Sequence, residues 1–90
     1  MKTIEIYVSG RVQGVCYRYF ALDKANEYGI VGNVRNLRDG RVKIIARADA
    51  SSLELFLSAL RQGPALARID NIEMSEIISG ESFQGFRIEY

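Results

Sequence analysis

Ile4, Ile6 and Val8 alternate with Glu5, Tyr7 and Ser9, the period of two expected of a half-buried strand. Across residues 10–18, which carry Gly10 and Gly14, the alternation stops. The period then lengthens: Tyr17, Phe20, Ala21, Ala25 and Tyr28 fall on one helical face, and Gly29 supplies a C-terminal stop. Residues 31–37 read as a second strand, and Arg38-Asp39-Gly40 as a hairpin turn. In a third strand Val42, Ile44, Ala46 and Ala48 alternate with Arg41, Lys43, Ile45 and Arg47. Leu53, Phe56, Leu57 and Leu60 form the stripe of a second helix, with a capping box predicted at Ser51 and Glu54 and an end at Gly63-Pro64. A fourth strand spans about residues 68–78, and Phe86, Ile88 and Tyr90 alternate in a last short one after a turn region at 80–85.

The order is βαββαβ, with the last strand divided in two. Two amphipathic helices and an amphipathic sheet predict a single α+β domain over residues 1–90. Its expected form is a ferredoxin-like two-layer α/β sandwich, an antiparallel sheet with two helices on one face. Such an architecture hosts enzymes, RNA binders and regulators alike, so function has to come from the site.

Composition narrows the chemistry. The 90 residues include no histidine and one cysteine, Cys16. Catalytic triads, histidine acid–base chemistry and the usual zinc or iron sites are excluded, and no internal disulfide can form. The expectation is an activity with no metal and no cofactor. A net charge of +1 encodes no global attraction to nucleic acid or anionic membrane. The third strand carries no aromatic on which a base could stack. No segment approaches the roughly 20 apolar residues of a membrane span, and Glu5 interrupts any leader-like apolar run. A cytoplasmic monomer with neither nucleic-acid nor membrane partners is expected.

The stretch between the first strand and first helix is the candidate site. A glycine-bearing loop delivers backbone N–H groups to a helix N-terminus, where they lack internal partners and the dipole is positive. Gly10 and Gly14 permit tight turning, and Arg18 sits at the junction, where a cation opposes the dipole unless an anion lies between. Alone, such a loop is more often an ordinary turn. Asn36 alone is equally a residue preceding a hairpin. Cys16 reads as a packed or partly exposed thiol, because the C-x5-R spacing of cysteine phosphatases is missing.

Two longer motifs bear on this choice. The segment Gly10-Arg11-Val12-Gln13-Gly14-Val15-Cys16-Tyr17-Arg18 resembles the acylphosphatase signature G-x-V-Q-G-V-x-[FY]-R, and Gly29-Ile30-Val31-Gly32-Asn33-Val34-Arg35-Asn36 resembles the family's second block. Gly63-Pro64-Ala65-Leu66-Ala67-Arg68-Ile69 and the ending Phe86-Arg87-Ile88-Glu89-Tyr90 follow in the family's order. Asn33 stands where the family usually has Trp, Leu37 where it often has Thr, and Tyr17 where Phe is common. The resemblance implies hydrolysis of small acyl phosphates to a carboxylate and inorganic phosphate. It assigns the catalytic roles to Arg18 and Asn36. The phosphoryl group would be held by Arg18 and the backbone N–H groups of Gln13, Gly14, Val15, Cys16, Tyr17 and Arg18, with Asn36 orienting the attacking water. Inorganic phosphate or sulfate would compete for the cradle. The alternative is a non-catalytic anion-binding or regulatory ferredoxin-like domain that keeps the same cradle.

Overall fold

The computed structural model describes residues 1–90. Its elements are β1 (Lys2–Arg11), α1 (Tyr17–Tyr28), β2 (Val31–Asn36), β3 (Val42–Ala48), α2 (Ala50–Gln62), β4 (Arg68–Ile77) and β5 (Phe86–Glu89). The sheet order is β4-β1-β3-β2-β5. β1 pairs antiparallel with β3 and β4, and β2 pairs antiparallel with β3.

β1 and β2 therefore run the same way with β3 between them, and β3 and β4 run the same way with β1 between them. Each such pair is joined through a helix, and right-handed crossovers put both helices on one face. This is the ferredoxin-like sandwich. One pair departs from an all-antiparallel sheet: β5 lies parallel to β2, with Val34 opposite Ile88. After β4 the chain crosses to the opposite edge, so it meets β2 from the far side. As a result β1, β2 and β5 all point their C-terminal ends toward the N-terminus of α1.

The core lies between helices and sheet. Ile4, Ile6 and Val8 of β1, Val34 of β2 and Val42 and Ile44 of β3 pack against Tyr17, Ala21 and Ala25 of α1 and Leu53, Phe56 and Leu60 of α2. Alanines at positions 21 and 25 let α1 approach the sheet closely, while Phe20 and Tyr28 of the predicted face are only half-buried. Phe56 and Phe86 meet edge to face, with ring centroids 6.0 Å apart.

Two local features differ from the sequence reading. The cap of α2 is Asp49, not Ser51: its carboxylate accepts the Ser52 N–H at 2.8 Å and the Ser51 hydroxyl at 3.0 Å. The capping box at Ser51 and Glu54 does not form because the helix starts earlier, at Ala50. Gly10 belongs to β1 rather than to the loop. The β1–β4 register shifts between Ser9 and Gly10, where φ is +130° and a side chain would overlap the Arg68 carbonyl. No helix is long and apolar enough to cross a membrane.

Candidate active site

The loop after β1 is fixed at both ends by burial. Val12 and Val15 are inserted in the core, with 1% and 5% of their surface exposed. Between them Gln13 and Gly14 arch outward, and Gly14 adopts φ +75° with open space around it. Cys16 then takes the left-handed conformation, φ 61° and ψ 26°, as the N-cap of α1. A non-glycine residue there costs about 1–3 kcal/mol, so its neighbours must hold it. Val15 and Tyr17, buried on either side, do so. The Tyr17 hydroxyl donates to the Leu60 carbonyl at 2.8 Å, and burial pushes the phenol well above its ordinary pKa. The Tyr17 side chain is thus a structural anchor.

No side chain caps α1. The first backbone bond of its N-terminal turn runs from the Phe20 N–H to the Cys16 carbonyl, 3.0 Å, and no N–H of residues 13–19 donates to a protein acceptor. A left-handed residue followed by helical ones turns successive N–H groups toward a common point, an anion-binding concavity at the positive end of a helix. Of the residues expected to donate, Gly14, Cys16, Tyr17 and Arg18 line one cavity, whereas Gln13 and Val15 do not, Val15 being packed in the core.

Arg18 and Asn36 come from different elements, the first turn of α1 and the end of β2. Both line one cavity of about 270 Å³ together with Val12, Gly14, Cys16, Tyr17 and Tyr19. Arg18 is held by β5: Nη1 donates to the Glu89 carbonyl at 3.2 Å, and the guanidinium lies 4.9 Å from the Tyr90 ring centroid. Asn36 ends β2 opposite Val42. Its side-chain Oδ1 is buried and has no hydrogen-bond partner. A buried acceptor without a donor is costly, which sets Asn36 apart among the side chains next to the cavity.

Sequence reasoning missed four participants. Gln13 was expected to contribute only backbone, yet Nε2 donates to the Leu37 carbonyl at 2.7 Å and the Arg41 carbonyl at 2.9 Å. Tyr19 lines the cavity while 55% exposed, and Glu89 and Tyr90 position Arg18. These are long-range contacts with no local pattern to announce them. No group of three or more acidic or sulfur-bearing side chains converges to hold a metal ion. The thiol of Cys16 is free and exposed.

The chain resembles known proteins over its whole length. The family model described as acylphosphatase matches residues 4–88. The chain is 46% identical over 90 residues to an acylphosphatase of Archaeoglobus fulgidus, covering all of both chains. It is 44% identical over 88 residues to one of Methylococcus capsulatus, covering 98% of this chain and 96% of that one. The crystal structure of the Bacillus subtilis acylphosphatase superposes with a TM-score of 0.95 at 37% identity, each chain covered fully.

Proposed function

The chain belongs to the acylphosphatase family, hydrolases of acid anhydrides, and we propose that Arg18, the loop N–H groups and Asn36 carry its reaction. The substrate class is small acyl phosphates. The observation that carries the reading is that Arg18 and Asn36, from separate elements, line one cavity with the loop residues Gly14 and Cys16.

The phosphoryl oxygens lie in the arch of N–H groups from residues 13–18 and on the Arg18 fork. Asn36 hydrogen-bonds a water molecule through its side-chain amide and holds the water in line behind phosphorus. The water oxygen–phosphorus bond forms as the phosphorus–acyl oxygen bond breaks, and that electron pair departs with the carboxylate. A carboxylate leaving group has a conjugate-acid pKa near ~4, so it needs no general acid. One water proton passes to a phosphoryl oxygen, because neither Arg18 nor Asn36 is a base. Charge neutralisation and positioning do the remainder, as in phosphoryl transfer generally. The enzyme works as a cytoplasmic monomer of one domain, without a metal ion. The lack of histidine and of any acidic or sulfur cluster supports the last point.

The test is steady-state hydrolysis of benzoyl phosphate, with inorganic phosphate as inhibitor and EDTA present throughout. Turnover with competitive inhibition by phosphate is expected. Loss of activity in EDTA that a metal restores, or purely noncompetitive inhibition, overturns the assignment of the cradle.

A further inference from the structure

Both amide protons of Gln13 Nε2 are committed, one to the Leu37 carbonyl at 2.7 Å and one to the Arg41 carbonyl at 2.9 Å. These partners lie 24 and 28 positions away, on the two sides of the β2–β3 hairpin. No other hydrogen bond joins the loop of residues 12–19 to that hairpin. The carbonyls have further donors: Leu37 N–H reaches the Arg41 carbonyl at 2.8 Å, and Gly40 N–H reaches the Leu37 carbonyl at 3.3 Å. The peptide groups on both sides of Leu37 are therefore pinned, and the residue immediately before it is Asn36.

We propose that Gln13 is a positioning residue whose side-chain amide sets the separation between the anion cradle and Asn36. Its backbone opens the cradle, while its side chain holds the strand end that presents the water-binding amide. One residue thus ties the phosphoryl site to the water site. A planar amide with two protons matches two carbonyls, whereas a carboxylate of the same shape presents acceptors to acceptors. Removing the amide orphans neither carbonyl, since each keeps a backbone donor, so geometry suffers more than stability. The inference rests on the reading of Asn36 as the water-orienting group, and the experiment separates the two.

Benzoyl phosphate turnover and phosphate inhibition are measured on Gln13→Met, Gln13→Glu, Asn36→Ala and the Gln13→Met/Asn36→Ala double variant. Gln13→Met is expected to lower kcat about tenfold or more, as a misplaced nucleophile does. Its phosphate inhibition constant should move by less than about threefold, and in the Asn36→Ala background the same substitution should cost nearly nothing further. In Gln13→Glu the deficit against wild type should shrink as pH falls from about 7 to about 4, because the protonated carboxyl regains one donor. Losses that multiply independently in the double variant, or a loss of phosphate affinity at unchanged kcat, overturn the proposal. If Asn36→Ala alone keeps wild-type kcat, the reading of Asn36 has failed and the positioning role falls with it. Should Gln13→Met not fold, Gln13→Glu decides: a deficit that stays constant with pH refutes the role.

Discussion

The guanidinium of Arg18 lies 4.9 Å from the centroid of the Tyr90 ring while Nη1 donates to the neighbouring Glu89 carbonyl at 3.2 Å. The first turn of α1 thereby meets the end of β5. The parallel β2–β5 pair makes this possible, because it points the end of β5 at the cradle rather than away from it. A guanidinium carries five N–H donors. One engaged by Glu89 leaves four for phosphoryl oxygens, and the ring beneath restricts the plane in which they point.

Arg18→Lys is consequently not conservative. Lysine keeps the charge but loses the planar fork, so it cannot hold the Glu89 carbonyl and present paired donors together. KM should rise and kcat should fall by at least about tenfold, since the contact serves both bound substrate and transition state. Steady-state kinetics on acetyl and benzoyl phosphate read both constants. Near-wild-type turnover means that another group holds the phosphate.

Tyr90→Ala should act through Arg18. Tyr90 is 90% exposed, and the face of its ring is what meets the guanidinium. Loss of a cation–π contact at an exposed site corresponds to a KM about two- to fivefold higher, with kcat unchanged. Tyr90→Phe keeps the face and should match wild type. A Tyr90→Phe defect as large as that of Tyr90→Ala would assign the effect to the hydroxyl instead.

Much of this organisation was legible because local physics and final structure agree. The alternation of β1 and β3, the stripe Leu53-Phe56-Leu57-Leu60 and the turn at Gly40 each report a burial pattern directly. The capping box at Ser51 misplaces the cap of α2 because Asp49 and Ser51 are both competent caps, and the helix begins at Ala50, directly after Asp49. The direction of β5 was not legible: four residues carry no signal for which edge they join. Arg18 and Asn36 emerged from their motifs. The Gln13 amide stayed hidden, since a glutamine in a loop is ordinarily solvated and its partners lie on another hairpin.

Gly32→Ala should be among the most damaging substitutions outside the site. Gly32 has φ +144°, and a Cβ there would overlap the Ile45 backbone carbonyl across the β2–β3 pair. The obstacle is backbone inside a sheet, so nothing flexible can give way. A cost of about 3 kcal/mol or more is expected, which in a domain of this size lowers Tm by more than about 10 °C. Gly29→Ala is the control. It also has positive φ, +70°, but nothing lies within 4 Å of the added Cβ, so only the left-handed penalty of about 1–2 kcal/mol applies. Equal Tm losses would show that steric overlap at Gly32 is relieved by movement of the strands.

The cap of α2 should make part of the stability depend on acid. The Ser52 N–H, with the Ser51 hydroxyl, holds the Asp49 carboxyl below its ordinary pKa of 3.8. A folded-state pKa below the unfolded value contributes stability above the unfolded value and loses it as pH falls through the folded one. The Tm difference between wild type and Asp49→Ala should be a few degrees at pH 7, persist down to about pH 4, and shrink below that. Asp49→Asn, which caps without titrating, should lie near wild type at pH 7. A difference that grows on acidification would contradict the sign of the shift.

Asn36→Ala should separate chemistry from binding. The Asn36 side chain touches no protein donor through Oδ1, so its deletion breaks no hydrogen bond to that atom that holds the fold. It also removes a buried unsatisfied acceptor, which by itself is stabilising. Tm should therefore be unchanged or slightly raised, a result that a structural asparagine would not give. The phosphoryl group sits on Arg18 and the loop N–H groups in the proposed complex, so the inhibition constant of inorganic phosphate should move little. The water loses its orienting partner, and by analogy with a lost transition-state hydrogen bond kcat should fall roughly 10²–10³-fold, or about 2.7–4 kcal/mol. Because the same preparation supplies kcat, the phosphate inhibition constant and a melting curve, the three readouts bear on one another. A collapse of phosphate affinity with kcat preserved at saturation would make Asn36 a phosphate ligand. A large fall in Tm would make it a structural residue whose unpaired oxygen has a partner in solution.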